Sequence, residues 1–341
     1  MIGARRTLKY NEPCPALLGS GPPWGIKKNG KRVNGMKIVG VLGSLNVDLT
    51  VTVPRFQEAG ETITGTGFYT FTGGKGGNQA VSLAKLGVPT MMVGKLGADQ
   101  NGALYRDTMQ ELGIEQHTVQ TVDHVPTGVA MIEVDVSGEN SIVVVPGANH
   151  AVDRRQVDLM MGELLSCDVV LMQLEIPMDT VEYAAQKLHA ERKMVILDPS
   201  PAVPLSERLL RACTYIVPNE SELRILSGME TDTDEQVKEA AQTLLEKGAR
   251  CVVVKLGTRG AMLVCKQSAL HVPGFKVNVL DTTGAGDAFV AGFAVSLLEG
   301  KMPVEAVRFG NAAAALSTTA MGAQSAMPAR DQVDDLLQRG K

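Results

Sequence analysis

The chain has 341 residues, 44% of them hydrophobic, which is enough to bury a large core, and its formal net charge is −4. No apolar run approaches the ~18 residues that cross a bilayer; the strongest, "IVVVP" at 142–146 and "CVVVKL" at 251–256, are strand-sized, so no membrane partner is expected. Residues 1–35 hold seven Lys/Arg against Glu12 alone, which leaves the rest of the chain acidic and argues against a nucleic-acid surface.

Those first 35 residues show no helical or strand period and read as a disordered N-terminal extension, with a transit peptide or a start at Met36 as the other readings. The five cysteines are far apart, without a Cys-x-x-Cys, as expected of reduced thiols in a cytoplasmic protein. The five histidines are equally scattered, so the sequence does not support a zinc site.

From Lys37 onward, buried strands alternate with amphipathic helices, and the expectation for 36–341 is one α/β unit with a mainly parallel sheet covered on both faces. The first strand, "KIVGVLG", carries Asn46 and Asp48 near its carboxyl end, two apart and therefore on one side. Such a pair can hydrogen-bond adjacent sugar hydroxyls or simply cap a strand. "TGGKGGNQA" (72–80) then leads into a helix. Four glycines around Lys75 let backbone approach a ligand closely, and the Walker spacing is absent.

Further pairs follow: "MMVGKLG" with "GALYRDTMQELGI", "DVVLMQLE" with "TVEYAAQKLHAER", "MVILDPSP" with "LSERLLRACT", "YIVPNE" with "SELRILSG", and "CVVVKLG" with the closing helices. Two stretches, near 48–72 and 127–147, alternate with period two between Gly, Ser and Asn turns and predict a small β lid. A lid over the carboxyl edge of such a sheet would exclude water from a reaction. The small residues of "NAAAALSTTA" predict a helix packed closely against a neighbour.

In "PNESE", Asn219 and Glu222 have capping-box spacing, and the alternative is that Glu222 faces the crevice and orients the water shell of Mg²⁺. "VKLGTRGAML" (254–263) ends a strand in a turn suited to a nucleotide. "DTTGAGDAF" is more specific: the Gly284, Ala285 and Gly286 amides can converge on an anion. Asp287 stands at the helix mouth, where the dipole favours an ionised carboxylate able to accept a proton. The bland reading of Asp287 is a helix cap.

The ordered set "GSLNVD", "GGKGGNQA", "MQLE", "PNESE", "KLGTRG" and "DTTGAGDAF" resembles the ribokinase/PfkB family of carbohydrate kinases over essentially all of 37–341. The resemblance implies a three-layer α/β/α Rossmann-like fold whose β lid forms a homodimer interface. It also implies ATP-dependent transfer of a phosphoryl group to the 5-hydroxyl of D-ribose. Carried over residue by residue, Asn46, Asp48, Gly74, Lys75, Asn78 and Glu175 match the pentose-binding set, and Asp287 matches the base. The amides of Gly284, Ala285 and Gly286 match the anion hole; Asn219, Lys255, Gly257, Gly260 and Asn311 match nucleotide contacts, Gly286 also lying on that side. Glu222 falls near Mg²⁺. Asp281, Thr283, Ser317, Gly322 and Ala326 fall on the loops that bind an activating monovalent cation, K⁺, in similar enzymes. Ala326 lacks the hydroxyl often found there, and "LDPSP" at Asp198 departs from the common Asn-Pro-Ala-Pro. Relatives acting on 2-deoxyribose, fructose or adenosine share the same signatures, as would a catalytically silent sugar-binding regulator.

Overall fold

The computed structural model describes residues 36–266 and 268–340; the expected extension, residues 1–35, lies outside them. The strands are β1 Val39–Leu42, β2 Asn46–Thr52, β3 Gly67–Gly73, β4 Thr90–Gly97, β5 Val119–Val122, β6 Gly128–Val134 and β7 Asn140–Val145. They continue with β8 Val169–Met172, β9 Met194–Leu197, β10 Tyr215–Ile216, β11 Cys251–Lys255, β12 Ala261–Cys265 and β13 Ser268–Val272. Nine of them form one sheet in the order β13-β12-β11-β10-β9-β8-β1-β4-β5. It is parallel from β5 to β11, and β12 and β13 are added as antiparallel hairpins. The mainly parallel sheet of the sequence reading is therefore present.

Alternation along the strands sends side chains into two cores. Val39 and Val41 of β1, with Val169 and Leu171 of β8, face helices Lys75–Lys85, Ala285–Leu298 and Pro303–Ser317. Leu42, Val170 and Met172 face helices Met178–Ala190 and Asp234–Glu246 on the other side. Helix Ala285–Leu298 is buried at nearly every position, as a helix apolar all round must be. Small residues let its neighbour approach: a Cβ on Gly292 would stand 3.0 Å from the Ala313 Cβ and 3.2 Å from the Gly310 Cα. That is the close packing expected of "NAAAALSTTA".

The remaining four strands form the lid sheet, ordered β3-β2-β6-β7, as expected for the two period-two stretches. One assignment changes. Asn46 and Asp48 do not end the first sheet strand: the chain leaves β1 at Leu42, turns through Gly43–Leu45, and starts the lid with β2. A second change concerns the cysteines. Cys251 and Cys265 stand opposite each other across β11 and β12, Cα atoms 4.6 Å apart, and are joined as a disulfide, because the hairpin register closes a spacing that looks remote in sequence. Cys167 and Cys213 are free and buried, and burial raises both thiol pKa values, that of Cys167 to about 12.

Candidate active site

The carboxyl ends of β11, β10, β9, β8 and β1 lie side by side, so the residues that follow them share one crevice. Across it run Lys255 at the end of β11, Asn219 and Glu222 beyond β10, Asp198 after β9, Gln173 and Glu175 after β8, and Ser44 after β1. The lid enters from β2.

On the lid side, Asn46 is 3% exposed and its Oδ1 accepts from Asn149 Nδ2 at 2.7 Å. Asp48 lies against Gly73, where any Cβ would stand 2.2 Å from the carboxylate, so glycine is what admits it. Burial, then the neighbouring Glu175 charge, raise the Asp48 pKa to about 7. Glu175 Oε2 accepts from Ser44 Oγ at 2.5 Å and from the Lys75 amide at 2.9 Å, which pins the glycine-rich turn to the sheet.

That turn becomes helical earlier than its glycines suggest. The helix begins at Lys75, and Gly76 and Gly77 form its first turn because the chain is pressed against Ser44 and Tyr105. Gly74 precedes it at φ 80°, a left-handed conformation that disfavours a side chain. Burial works against the Lys75 charge, but the carboxylates of Asp287, Asp198, Glu175 and Glu222 hold its pKa above the usual lysine value.

Asp287 is 4% exposed in the first turn of helix Ala285–Leu298. It is not a helix cap: the cap position is Gly284, at φ 77°, and the carboxylate turns to two amides from a different helix. Asn78 Nδ2 donates to Oδ2 at 3.0 Å and Gln79 Nε2 to Oδ1 at 3.1 Å. Burial raises the Asp287 pKa to about 6, Lys75 opposing and Asp198 reinforcing, so the dipole argument that left it freely ionised omitted the larger effect. The Ala285 amide donates to Thr282 O at 3.2 Å, whereas those of Gly284 and Gly286 have no acceptor among the described residues.

Beyond Gly286 lies a cavity of about 670 Å³, lined by Lys255, Gly257, Thr258, Gly260, Gly286, Phe289, Asn311 and others. Asn311 sits in its wall but donates its amide to Val272 O at 3.0 Å and Pro273 O at 3.2 Å. Asn219 and Glu222 form the capping box: Glu222 N to Asn219 Oδ1 is 2.8 Å and Asn219 N to Glu222 Oε2 is 2.7 Å. Glu222 also stands 3.8 Å from Lys255 Nζ, so the capping residue faces the crevice.

The loops around Asp281 and Gly322 are also brought together. Asp281 Oδ1 accepts from the Thr283 amide at 2.9 Å and hydroxyl at 2.6 Å, and Oδ2 from the Gly322 amide at 2.8 Å. These bonds outweigh burial and lower its pKa. Ser317 Oγ instead donates to Ala314 O within its own helix, and Ala326 is buried close by in sequence.

Four residues that hold the site were not singled out as members of it: Ser44, Gln79, Gln173 and Asp198. Gln79 and Gln173 are wholly buried, and Asp198 is 1% exposed. Gln79 Nε2 reaches Asp198 Oδ2 at 3.1 Å as well as Asp287, Gln173 Nε2 donates to Gln79 Oε1 at 2.5 Å, and Lys255 Nζ donates to Asp198 Oδ1 at 2.7 Å. Gln79 was visible inside "GGNQA"; its buried amide role was not.

Residues 36–330 match the pfkB family carbohydrate kinases. The ribokinase of Haemophilus influenzae is 40% identical over 302 residues, 89% of this chain and 99% of that protein. The deoxyribokinase of Salmonella typhi is 35% identical over 300 residues, 88% of this chain and 98% of its own. The structure of Arabidopsis thaliana ribokinase complexed with ribose and ATP superposes with a TM-score of 0.85 at 37% identity, covering 89% of this chain and 99% of that one. With the lid, the buried aspartate and the two open glycine amides in place, the chain belongs to the pfkB family of carbohydrate kinases.

Proposed function

We propose that this kinase transfers the γ-phosphoryl group of ATP to the 5-hydroxyl of D-ribose, giving D-ribose 5-phosphate, with residues 36–341 acting as one unit. The observation that carries this reading is the position of Asp287 between the lid-side polar groups and the cavity beyond Gly286. Asn46, Asp48, Gly74, Lys75, Asn78 and Glu175 bind the pentose, and Asn219, Lys255, Gly257, Gly260 and Asn311 flank the nucleotide. Asp287 accepts the hydroxyl proton as the bond to phosphorus forms. The amides of the Gly284, Ala285 and Gly286 turn face the transferring group, those of Gly284 and Gly286 open, and each such donor is worth roughly 3 kcal/mol of barrier.

Mg²⁺ supplies charge at the phosphates when bound. It takes few protein ligands, so a single carboxylate, Glu222, is a fitting holder of its water shell. Asp281, Thr283, Ser317, Gly322 and Ala326 would hold K⁺ through side-chain and backbone oxygens, with Ala326 offering only its carbonyl; the Ser317 hydroxyl donates to Ala314 O and keeps its lone pairs.

Relatives named ribokinase support the pentose, and the deoxyribokinase at 35% identity keeps 2-deoxyribose as the second reading. A coupled ADP-release assay should give the highest kcat/KM for ribose against deoxyribose, fructose and adenosine, with turnover lost without Mg²⁺ and raised by K⁺. A clear preference for a hexose or nucleoside would overturn the substrate assignment and leave the family intact.

The lid also supports a homodimer. Tyr69, Phe71, Ile142 and Val144 are all at least 42% exposed and share one face of this small sheet, an apolar surface of the kind that a partner covers. Val144→Glu should shift the sedimentation coefficient to that of a monomer; an unchanged value would place the interface elsewhere.

A further inference from the structure

Gln324 lies in the loop between helices Pro303–Ser317 and Arg330–Arg339 and is 8% exposed. Every polar atom of its side chain is used. Its Oε1 accepts from Thr72 Oγ1 of β3 at 2.6 Å, and its Nε2 donates to Asn78 Oδ1 at 3.1 Å and to Tyr105 Oη at 2.9 Å. Tyr105 Oη in turn donates to Gly73 O at 2.6 Å. Lys85 Nζ fixes the backbone of the same loop, donating to the carbonyls of Gln324 at 2.8 Å, Ser325 at 3.1 Å and Met327 at 3.3 Å.

The direction of this chain is forced by chemistry. A carboxylate only accepts, so Asn78 must present Nδ2 to Asp287 and Oδ1 to Gln324. Gln324 must then present Nε2 to Asn78 and Oε1 to Thr72, whose hydroxyl becomes the donor. Tyr105 has one proton, which goes to Gly73, leaving a lone pair for Gln324. Reversing any one amide would set donor against donor or acceptor against acceptor in a dry interior, where an unmade hydrogen bond is costly.

We propose that Gln324 is a positioning residue for phosphoryl transfer, linking lid strand β3 through Asn78 to Asp287 and so orienting the base when the lid strand is seated. It touches no reacting atom; it acts through Asn78. The inference rests on Asp287 being the base. Other charged groups around Asp287 are Lys75 on the helix that carries Asn78, Asp198 after β9 with Lys255 behind it, Glu175 after β8, Glu222 beyond β10 and Asp48 on β2. Substitution at Gln324 or Thr72 leaves all of them in place.

The test is steady-state kinetics on the full chain, with sugar varied at saturating ATP across the acid limb of the pH profile. Gln324→Met should lower kcat on the order of tenfold with little change in the sugar KM, because ground-state sugar contacts remain. Its acid limb should move to higher pH, since a hydrogen bond to the ionised Asp287 is weakened. Thr72→Val, isosteric and at the partly exposed lid strand, should shift the limb the same way by less and guards against misfolding of the first variant. In an Asp287→Asn background, Gln324→Met should cost nothing further. An unmoved acid limb in both variants, or an equal loss in the Asp287→Asn background, overturns the positioning role while leaving the base assignment standing. Full turnover in Asp287→Asn alone overturns both.

Discussion

Asp287→Asn should lower kcat by about 10²–10⁴-fold, the range for losing a general base. The substitution keeps the side-chain shape but removes the group proposed to accept the hydroxyl proton. It also meets two donors, Asn78 Nδ2 and Gln79 Nε2, with one acceptor oxygen where the carboxylate offered two. Against that loss, it takes a charge out of a site buried enough to raise the carboxylate pKa to about 6. The two effects on stability oppose each other, and the melting temperature should move little. ATP affinity should be nearly unchanged, because the cavity proposed to hold it is walled by Lys255, Gly257, Gly260 and Phe289. Rapid-quench measurement of the chemical step separates chemistry from product release, and a kcat within about threefold of the parent would remove Asp287 from the mechanism.

The sheet and the lid were legible because their signals are local: buried strands followed by amphipathic helices, and period-two runs between turn residues. The boundary at Gly43–Leu45 was not, since "KIVGVLGSLNVDLTVTV" reads as continuous strand and nothing local marks where it changes sheet. The candidate site was legible where one short segment brings its groups together, as in the Gly284–Gly286 turn with its two open amides. It was illegible where two distant segments share it. Asn78 and Gln324 meet across 246 residues, and Gln79 and Asp198 across 119. Cys251 and Cys265 lie between these cases. The turn at Gly257–Gly260 was recognised, and pairing outward from Lys255 opposite Ala261 would have placed the cysteines face to face.

Lys255→Met should be the most damaging substitution away from Asp287, through two separable effects. The first is stability. Asp198 is 1% exposed, and its Oδ1 is held by Lys255 Nζ at 2.7 Å, so removing the lysine strands a buried carboxylate. Breaking such a pair from one side costs about 3–5 kcal/mol. Much of this should return in the Lys255→Met/Asp198→Asn double variant, in which the Asp198 charge is removed together with its partner and the residue 198 side chain can still accept from Gln79 Nε2. The second effect is turnover. Lys255 Nζ stands 3.4 Å from where a Cβ on Gly286 would lie, so its positive charge adjoins the open amides proposed to face the transferring group. Losing a stabiliser of that kind costs about 10²–10³-fold in kcat, and Asp198→Asn does nothing to replace it. The double variant should therefore recover its melting temperature and remain slow. Recovery of both would reduce Lys255 to a counter-ion for Asp198. Recovery of neither would mean that the amine is held by more than this one carboxylate, with Glu222, 3.8 Å away, the next partner to remove.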